Sequence, residues 1–125
     1  ELTCELKKAC EELGYPHHVG TVQCKDSFYG QHSPHRMPVS YELENKWNAW
    51  IKAGVLASEM ETASLFTVSS YLRLRAAAVL LVVWNKKKEK LGLPQEQDFD
   101  VESEIKVAVK AVENLILKDK ENGKK

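Results

Sequence analysis

Apolar residues at Leu2, Leu6, Ala9, Cys10 and Leu13 recur at helical spacing, and Gly14 with Pro16 just beyond marks a helix end. The pattern predicts a first helix of about 12 residues. His18 to Cys24 carries Val19, Thr21 and Val22 and predicts a strand, while Lys25 to Pro38, with its Gly, Pro and Ser content, predicts a loop. Between Tyr41 and Ala53, Leu43, Trp47, Trp50 and Ile51 fall on one stripe, predicting an amphipathic helix with both tryptophans on its buried face and Gly54 as its stop. Val55, Leu56 and Ala57 predict a short strand running into a helix through Leu65, Phe66, Ser69 and Leu72. Arg75 to Trp84 is nearly uninterrupted apolar sequence, the pattern of a strand covered on both faces. Lys86 to Lys90 predicts a solvated surface turn and Pro94 to Asp100 a polar linker. Ile105, Ala108, Val109, Val112, Leu115 and Ile116 form a last amphipathic stripe, and a charged, frayed tail is expected from Lys118.

Helices alternating with strands predict an α/β layered protein, and three strands are too few to complete a typical sheet. At 125 residues the chain has room for at most one domain. Its 18 basic and 18 acidic side chains cancel, so no global basic field draws it to nucleic acid or an anionic membrane. The apolar run ending at Trp84 is far too short to span a bilayer, and no signal peptide is visible. Cys4, Cys10 and Cys24 make an odd count without a Cys-x-x-Cys pair, which suits a reducing cytoplasm and buried thiols rather than a disulfide scaffold. The chain opens at Glu1 already inside a helical pattern, as a piece of something longer would.

Candidate chemistry concentrates where the predicted central strand meets its helix, at Ala57-Ser58-Glu59-Met60-Glu61. Ligand sites of open α/β sheets lie at the carboxyl ends of strands. Two readings fit the spacing. In the first, Ser58 and Glu61 form a capping box, Glu59 faces the positive end of the helix dipole and Met60 fills the core. In the second, a carboxylate here accepts from sugar hydroxyls while Met60 packs under the ring. Upstream, the loop from Phe28 to Arg36 carries two aromatics, an amide, a guanidinium and two imidazoles within nine positions. It reads either as an ordinary surface loop or as a recognition loop in which Phe28 stacks on a planar ligand and Gln31 and Arg36 satisfy its hydrogen-bonding edge. His32 and His35 lack a third metal ligand at a recognised spacing, and His17 and His18 point to opposite faces of an extended segment; no metal site is expected.

The segments His18-Val19-Gly20, Lys25-Asp26-Ser27-Phe28-Tyr29-Gly30-Gln31 with Arg36-Met37-Pro38, and Gly54-Val55-Leu56-Ala57-Ser58-Glu59-Met60-Glu61, in this order, closely resemble the uridine phosphorylases of the nucleoside phosphorylase family. The resemblance runs from about Glu1 to Lys120. It implies a layered α/β/α fold with a mixed sheet, of which residues 1–120 are an incomplete carboxyl-terminal portion and 121–125 a charged tail. It implies phosphorolysis of a pyrimidine nucleoside to free base and ribose 1-phosphate, with inorganic phosphate as co-substrate, no cofactor and a homo-oligomeric enzyme in the cytoplasm. By the same resemblance Phe28 packs on the base, Gln31 and Arg36 read its edge, Glu61 bonds the ribose hydroxyls, and Met60 and Glu59 lie beside the same sugar. Asn85 falls where purine-preferring relatives carry an aspartate that protonates the leaving base; an amide cannot supply that acid, which favours a pyrimidine.

The departures from the family are as specific as the matches. The phosphate site belongs to an upstream half, so little or no turnover is expected of this segment alone. Arg73 and Ala77 stand where relatives tend to have glycine, and Trp84 is bulkier than the usual residue before Asn85. Two rival readings accompany the phosphorylase: a non-catalytic nucleoside-binding or interaction piece, and a nucleoside hydrolase on the same fold with water as nucleophile.

Overall fold

The computed structural model describes residues 1–95 and 99–123, which form two compact units. One combines Glu1–His17 with the described residues from Ala77 onward; the other is His18–Ala76.

The first unit is organised by helix α1 (Leu2–Leu13) against helix α6 (Val101–Glu121). Its core is Ala9, Cys10, Val107 and Ala111, with Leu6, Tyr15 and Val79 packed against it. Ala9 and Ala111 are completely buried, and their single methyl groups let the two helices approach closely. Polar side chains fix the pairing. Lys118 donates to the buried Glu5 at 2.8 Å, Asn114 donates to Glu12 at 3.0 Å, and Lys110 lies 3.7 Å from the same carboxylate. Burial pushes the Cys10 thiol pKa up, and the charge of Glu11 adds to that. α1 ends as its sequence predicts: Gly14 adopts φ 73°, ψ 21°, and Tyr15 N donates to Cys10 O at 2.9 Å. Asp100 starts α6 by accepting from Glu102 N at 3.1 Å.

Between these helices, Lys86–Lys90 forms a short helix (α5) rather than the expected turn. The cause is Asn85, whose Oδ1 accepts from the amides of Lys87 and Lys88 at 3.1 and 3.0 Å. Gln95 clasps the backbone of Asn85 from the other side, donating from Nε2 to its carbonyl at 2.7 Å and accepting its N–H at 3.1 Å. Arg75 to Trp84, expected to be a doubly covered strand, forms no ladder among the described residues, and Val82, Val83 and Trp84 stay 60%, 38% and 41% exposed. An apolar run becomes a strand only when neighbouring strands take up its amide and carbonyl groups. The expected polar linker lies partly outside the described residues, as does the end of the tail; α6 itself continues through Lys118 to Glu121.

In the second unit two short strands, β1 (Val22–Cys24) and β2 (Ala57–Glu59), pair in parallel, with Val22 opposite Ala57, Gln23 opposite Ser58 and Cys24 opposite Glu59. Both are shorter than, or shifted from, the strands expected at His18 to Cys24 and Val55 to Ala57. Their hydrogen-bonding register sets the ends, not their β-branched content. The crossover between them holds helix α2 (Phe28–His32), a 3₁₀ turn (Pro34–Arg36) and helix α3 (Ser40–Lys52), so the stretch expected as a loop is largely helical. α3 carries no buried residue; Trp50 is 37% and Ile51 45% exposed, which corrects the expectation that this stripe faces a covered core. A helical stripe shows which residues share a face, not that another layer covers it.

Helix α4 (Thr62–Tyr71) follows β2 and buries Thr62 and Ser69. It closes through Arg73, which adopts φ 56° while Leu74 N donates to Ser69 O at 2.8 Å. This left-handed position favours glycine, because any Cβ crowds the backbone there by roughly 1–2 kcal/mol. Arg73→Gly should therefore stabilise the protein by up to about 1 kcal/mol, part of the relief being offset by the greater freedom of glycine in the unfolded chain. A higher urea midpoint at unchanged m-value is the expected reading; a lower midpoint would mean that contacts of the arginine side chain outweigh its backbone strain.

Candidate functional site

Parallel pairing places the carboxyl ends of β1 and β2 at one edge of the sheet, and the ladder is extended by Leu56 N donating to Thr21 O and Lys25 N donating to Glu59 O, both at 2.9 Å. Beyond that edge β1 delivers Lys25, Asp26 and Ser27 into α2, and β2 delivers Glu59, Met60 and Glu61 into α4. The two stretches singled out by their chemistry thus leave the same edge.

Ser27 starts α2 from an extended backbone, its Oγ accepting from Gly30 N at 3.0 Å. Gly30 is buried, and a Cβ there would stand 3.0 Å from that same oxygen, so the glycine leaves room for the cap. From this helix Gln31 reaches β2: Ser58 Oγ donates to Gln31 Oε1 at 3.0 Å, and Lys25 Nζ donates to Ser58 Oγ at 3.2 Å. Phe28 is 51% exposed, meets Tyr29 edge-on at 5.5 Å between centroids and stacks on His32 at 4.2 Å and 29°. Lys25 Nζ lies 5.9 Å from the Phe28 centroid. Arg36 sits exposed at the end of the 3₁₀ turn.

The corner after β2 differs from the expected capping box. Ser58 lies within the strand and spends its hydroxyl on Gln31, so it caps nothing. Glu59 takes over: its carboxylate accepts from Glu61 N and Thr62 N, each at 2.7 Å, and from Thr62 Oγ1 at 2.5 Å. Burial works to raise its pKa, but the hydroxyl and amide of Thr62, the amide of Glu61 and the Cys24 thiol outweigh it and bring the pKa down to about 2. Glu61 stays exposed and bends back to accept from Met60 N at 3.0 Å; Met60 is 38% exposed. Cys24 Sγ accepts from Ala63 N at 3.4 Å and so ties the first turn of α4 to β1.

The structure therefore joins Gln31 to the Ser58 end of the corner and holds Glu59, Met60 and Glu61 in one turn, with Phe28 and Arg36 on the α2 and 3₁₀ segment. Asn85 belongs to the other unit, where its side chain caps α5. A cavity of about 240 Å³ opens beside Gln31, lined also by Gln23, Lys25, Lys46, Trp47 and Trp50. Neither Phe28 nor the Glu59 to Glu61 corner lines it. Gln23 Oε1 is buried without a hydrogen-bond partner. Sequence reasoning passed over Lys25 and Ser58 as contributors to this edge. The available signal was the strand register, which sets Ser58 opposite Gln23 and Lys25 one step past Cys24. Among the described residues no three His, Cys, Asp or Glu side chains come together as metal ligands, and no helix is long and apolar enough to cross a membrane.

A family model of the phosphorylase superfamily matches residues 1–118. A uridine phosphorylase of Treponema pallidum is 52% identical over 118 residues, covering 94% of this chain and 46% of the relative. A uridine phosphorylase of Escherichia coli is 28% identical over 119 residues, covering 93% of this chain and 47% of the relative. A purine nucleoside phosphorylase of the DeoD type from Thermoanaerobacter is 30% identical over 111 residues, covering 86% and 43%. The chain spans about half the length of the curated relatives it matches.

The corner makes a pH-dependent prediction. Glu59 has its folded pKa depressed from an ordinary 4.5 to about 2, so its contribution to stability is complete above pH 4.5 and is lost as the pH falls through 2. Glu59→Gln, which keeps one acceptor oxygen but no charge, should cost about 1 kcal/mol at neutral pH. It should also flatten the fall in urea midpoint across that acid window. A variant as steeply acid-sensitive as the parent would show that another carboxylate governs the region.

Proposed function

The chain belongs to the phosphorylase superfamily, and from that premise we propose that it supplies the base and ribose contacts of a uridine phosphorylase-like enzyme. Phosphate oxygen bonds to the anomeric carbon of a pyrimidine nucleoside as the bond from that carbon to the base nitrogen breaks. The electron pair leaves with the base, and ribose 1-phosphate forms. The observation that carries this reading is the shared edge, where the Gln31 amide and the Glu59-Met60-Glu61 corner leave the carboxyl ends of two parallel strands.

In this proposal Phe28, half exposed on α2, packs on the base, while Gln31 and Arg36 supply donors to its edge and stabilise the departing anion. Asn85, as an amide, provides no acid for a purine leaving group. Glu61 holds the ribose hydroxyls, which favours a sugar that gains positive character as the base departs, and Met60 packs beside it. Glu59, beside the same sugar, has both carboxylate oxygens engaged in ordering the turn that carries Met60 and Glu61. Phosphate contacts come from the portion of the relatives that lies beyond this chain's match. The proposed whole is a layered α/β/α enzyme with a mixed sheet, acting in the cytoplasm as a homo-oligomer, with residues 1–120 as the carboxyl-terminal part of its domain and 121–125 as a tail.

Release of uracil from uridine, measured with and without phosphate, tests the reading on the chain alone and within its full reading frame. The chain alone is expected to turn over little or nothing, and the full frame to release uracil only with phosphate. Glu61→Ala should lower kcat/KM in the full frame by about 10²–10³-fold, the scale seen when one group aimed at transition-state charge is removed. Release without phosphate would identify a hydrolase instead, and nucleoside binding without release a non-catalytic module.

A further inference from the structure

We infer that Cys24 is a positioning residue: from the neighbouring strand it clamps the far end of the turn that presents the Glu61 carboxylate. This deepens the proposed function and rests on its reading of Glu61 as a sugar contact.

The turn after β2 is tied to β1 at both of its ends. At the near end Glu59 O accepts from Lys25 N at 2.9 Å, which carries the ladder to the edge of the sheet. At the far end Cys24 Sγ accepts from Ala63 N at 3.4 Å, across 39 positions of sequence. Met60, Glu61 and the buried Thr62 lie between the two ties. The register makes the second tie possible. Cys24 stands opposite Glu59, so thiol and carboxylate leave the same face of the sheet, and the thiol hydrogen goes to that carboxylate. One sulfur thus joins the end of β2 to the first turn of α4, giving its hydrogen to the first and accepting from the second.

The donors around the corner also decide which carboxylate is left for a ligand. An ionised carboxylate has about four acceptor positions. Glu59 receives Glu61 N and Thr62 N at 2.7 Å each, Thr62 Oγ1 at 2.5 Å and the thiol of Cys24, so its capacity is filled. Glu61 accepts from Met60 N at 3.0 Å and otherwise faces solvent. It is the presented group, and its direction follows from how the backbone on either side of it is held. Glu59 holds that backbone from within the turn, through the amides of residues 61 and 62; Cys24 holds it from outside, through the amide of residue 63. Removing the sulfur leaves the near tie in place and frees the far one.

Serine retains both functions of the thiol, one hydrogen to give and lone pairs to accept, whereas alanine and valine retain neither. The test measures kcat/KM for phosphorolysis of uridine, with urea midpoints, on variants of the full reading frame. Cys24→Ala should lower kcat/KM about fivefold, the worth of one hydrogen bond, and Cys24→Ser should restore it. Cys24→Val, which fills the site without a hydrogen-bonding group, should behave as Cys24→Ala and serves in its place if that variant does not fold. In a Glu61→Ala background either substitution should add nothing, because its effect passes through that carboxylate. A loss that persists undiminished in the Glu61→Ala background, or kcat/KM unchanged in Cys24→Ala, overturns the inference and leaves the proposed function standing. Failure of both variants to fold makes Cys24 a structural residue and overturns it equally. A parent that releases no uracil, or a Glu61→Ala variant as active as the parent, overturns the reading of Glu61 and this inference with it.

Discussion

Parallel pairing of two three-residue strands is the constraint on which the candidate site depends. An antiparallel pair would send the segments after Cys24 and after Glu59 in opposite directions; the parallel pair brings both out at one edge. Parallel strands need a crossover of a dozen or more residues, and here the crossover holds α2, the 3₁₀ turn and α3, the first two carrying the candidate base contacts. The register is equally restrictive. A slip of one residue would turn the Ser58 side chain to the opposite face of the sheet and break its bond to Gln31.

Two carboxylates two positions apart divide the work of the corner. Glu59 is surrounded by amide, hydroxyl and thiol donors that favour its charged form, whereas Glu61 stands in solvent with one backbone contact to Met60. The first organises the start of α4; the second is the carboxylate that remains presented. Environment, not residue type, separates them.

Much of this was legible in the chain. The 3.6-residue period marked α1, α3 and α6, and Gly14 marked an end that the left-handed backbone bears out. The Ser58 and Glu61 spacing correctly pointed to a capped helix start, but it assigned the wrong capping side chain. Ser58 is held in the strand by pairing with a segment more than 30 residues upstream, information that local spacing does not carry, and Glu59 reaches Thr62 instead. The tryptophan stripe of α3 and the run from Arg75 to Trp84 failed for a related reason. Burial and laddering require partners, and the chain spans about half the length of its curated relatives. The bond from Lys25 to Ser58 was not legible because it depends on Ser58 being in the strand. The family resemblance singled out Gln31 as a candidate, and the geometry shows its bond to Ser58.

The pairing of α1 with α6 bears on how the chain acquires its structure in time. Glu5 and Lys118 meet across 113 residues of sequence, and the core they flank draws on both ends of the chain. Contacts of such separation carry the largest loop-closure entropy and form late, whereas β1, β2 and the helices between them lie within one continuous stretch. During synthesis the edge bearing Gln31 and Glu61 is complete in sequence before α6 has been made. Ala9 and Cys10 therefore gain their described partners Val107 and Ala111 only once α6 has been made.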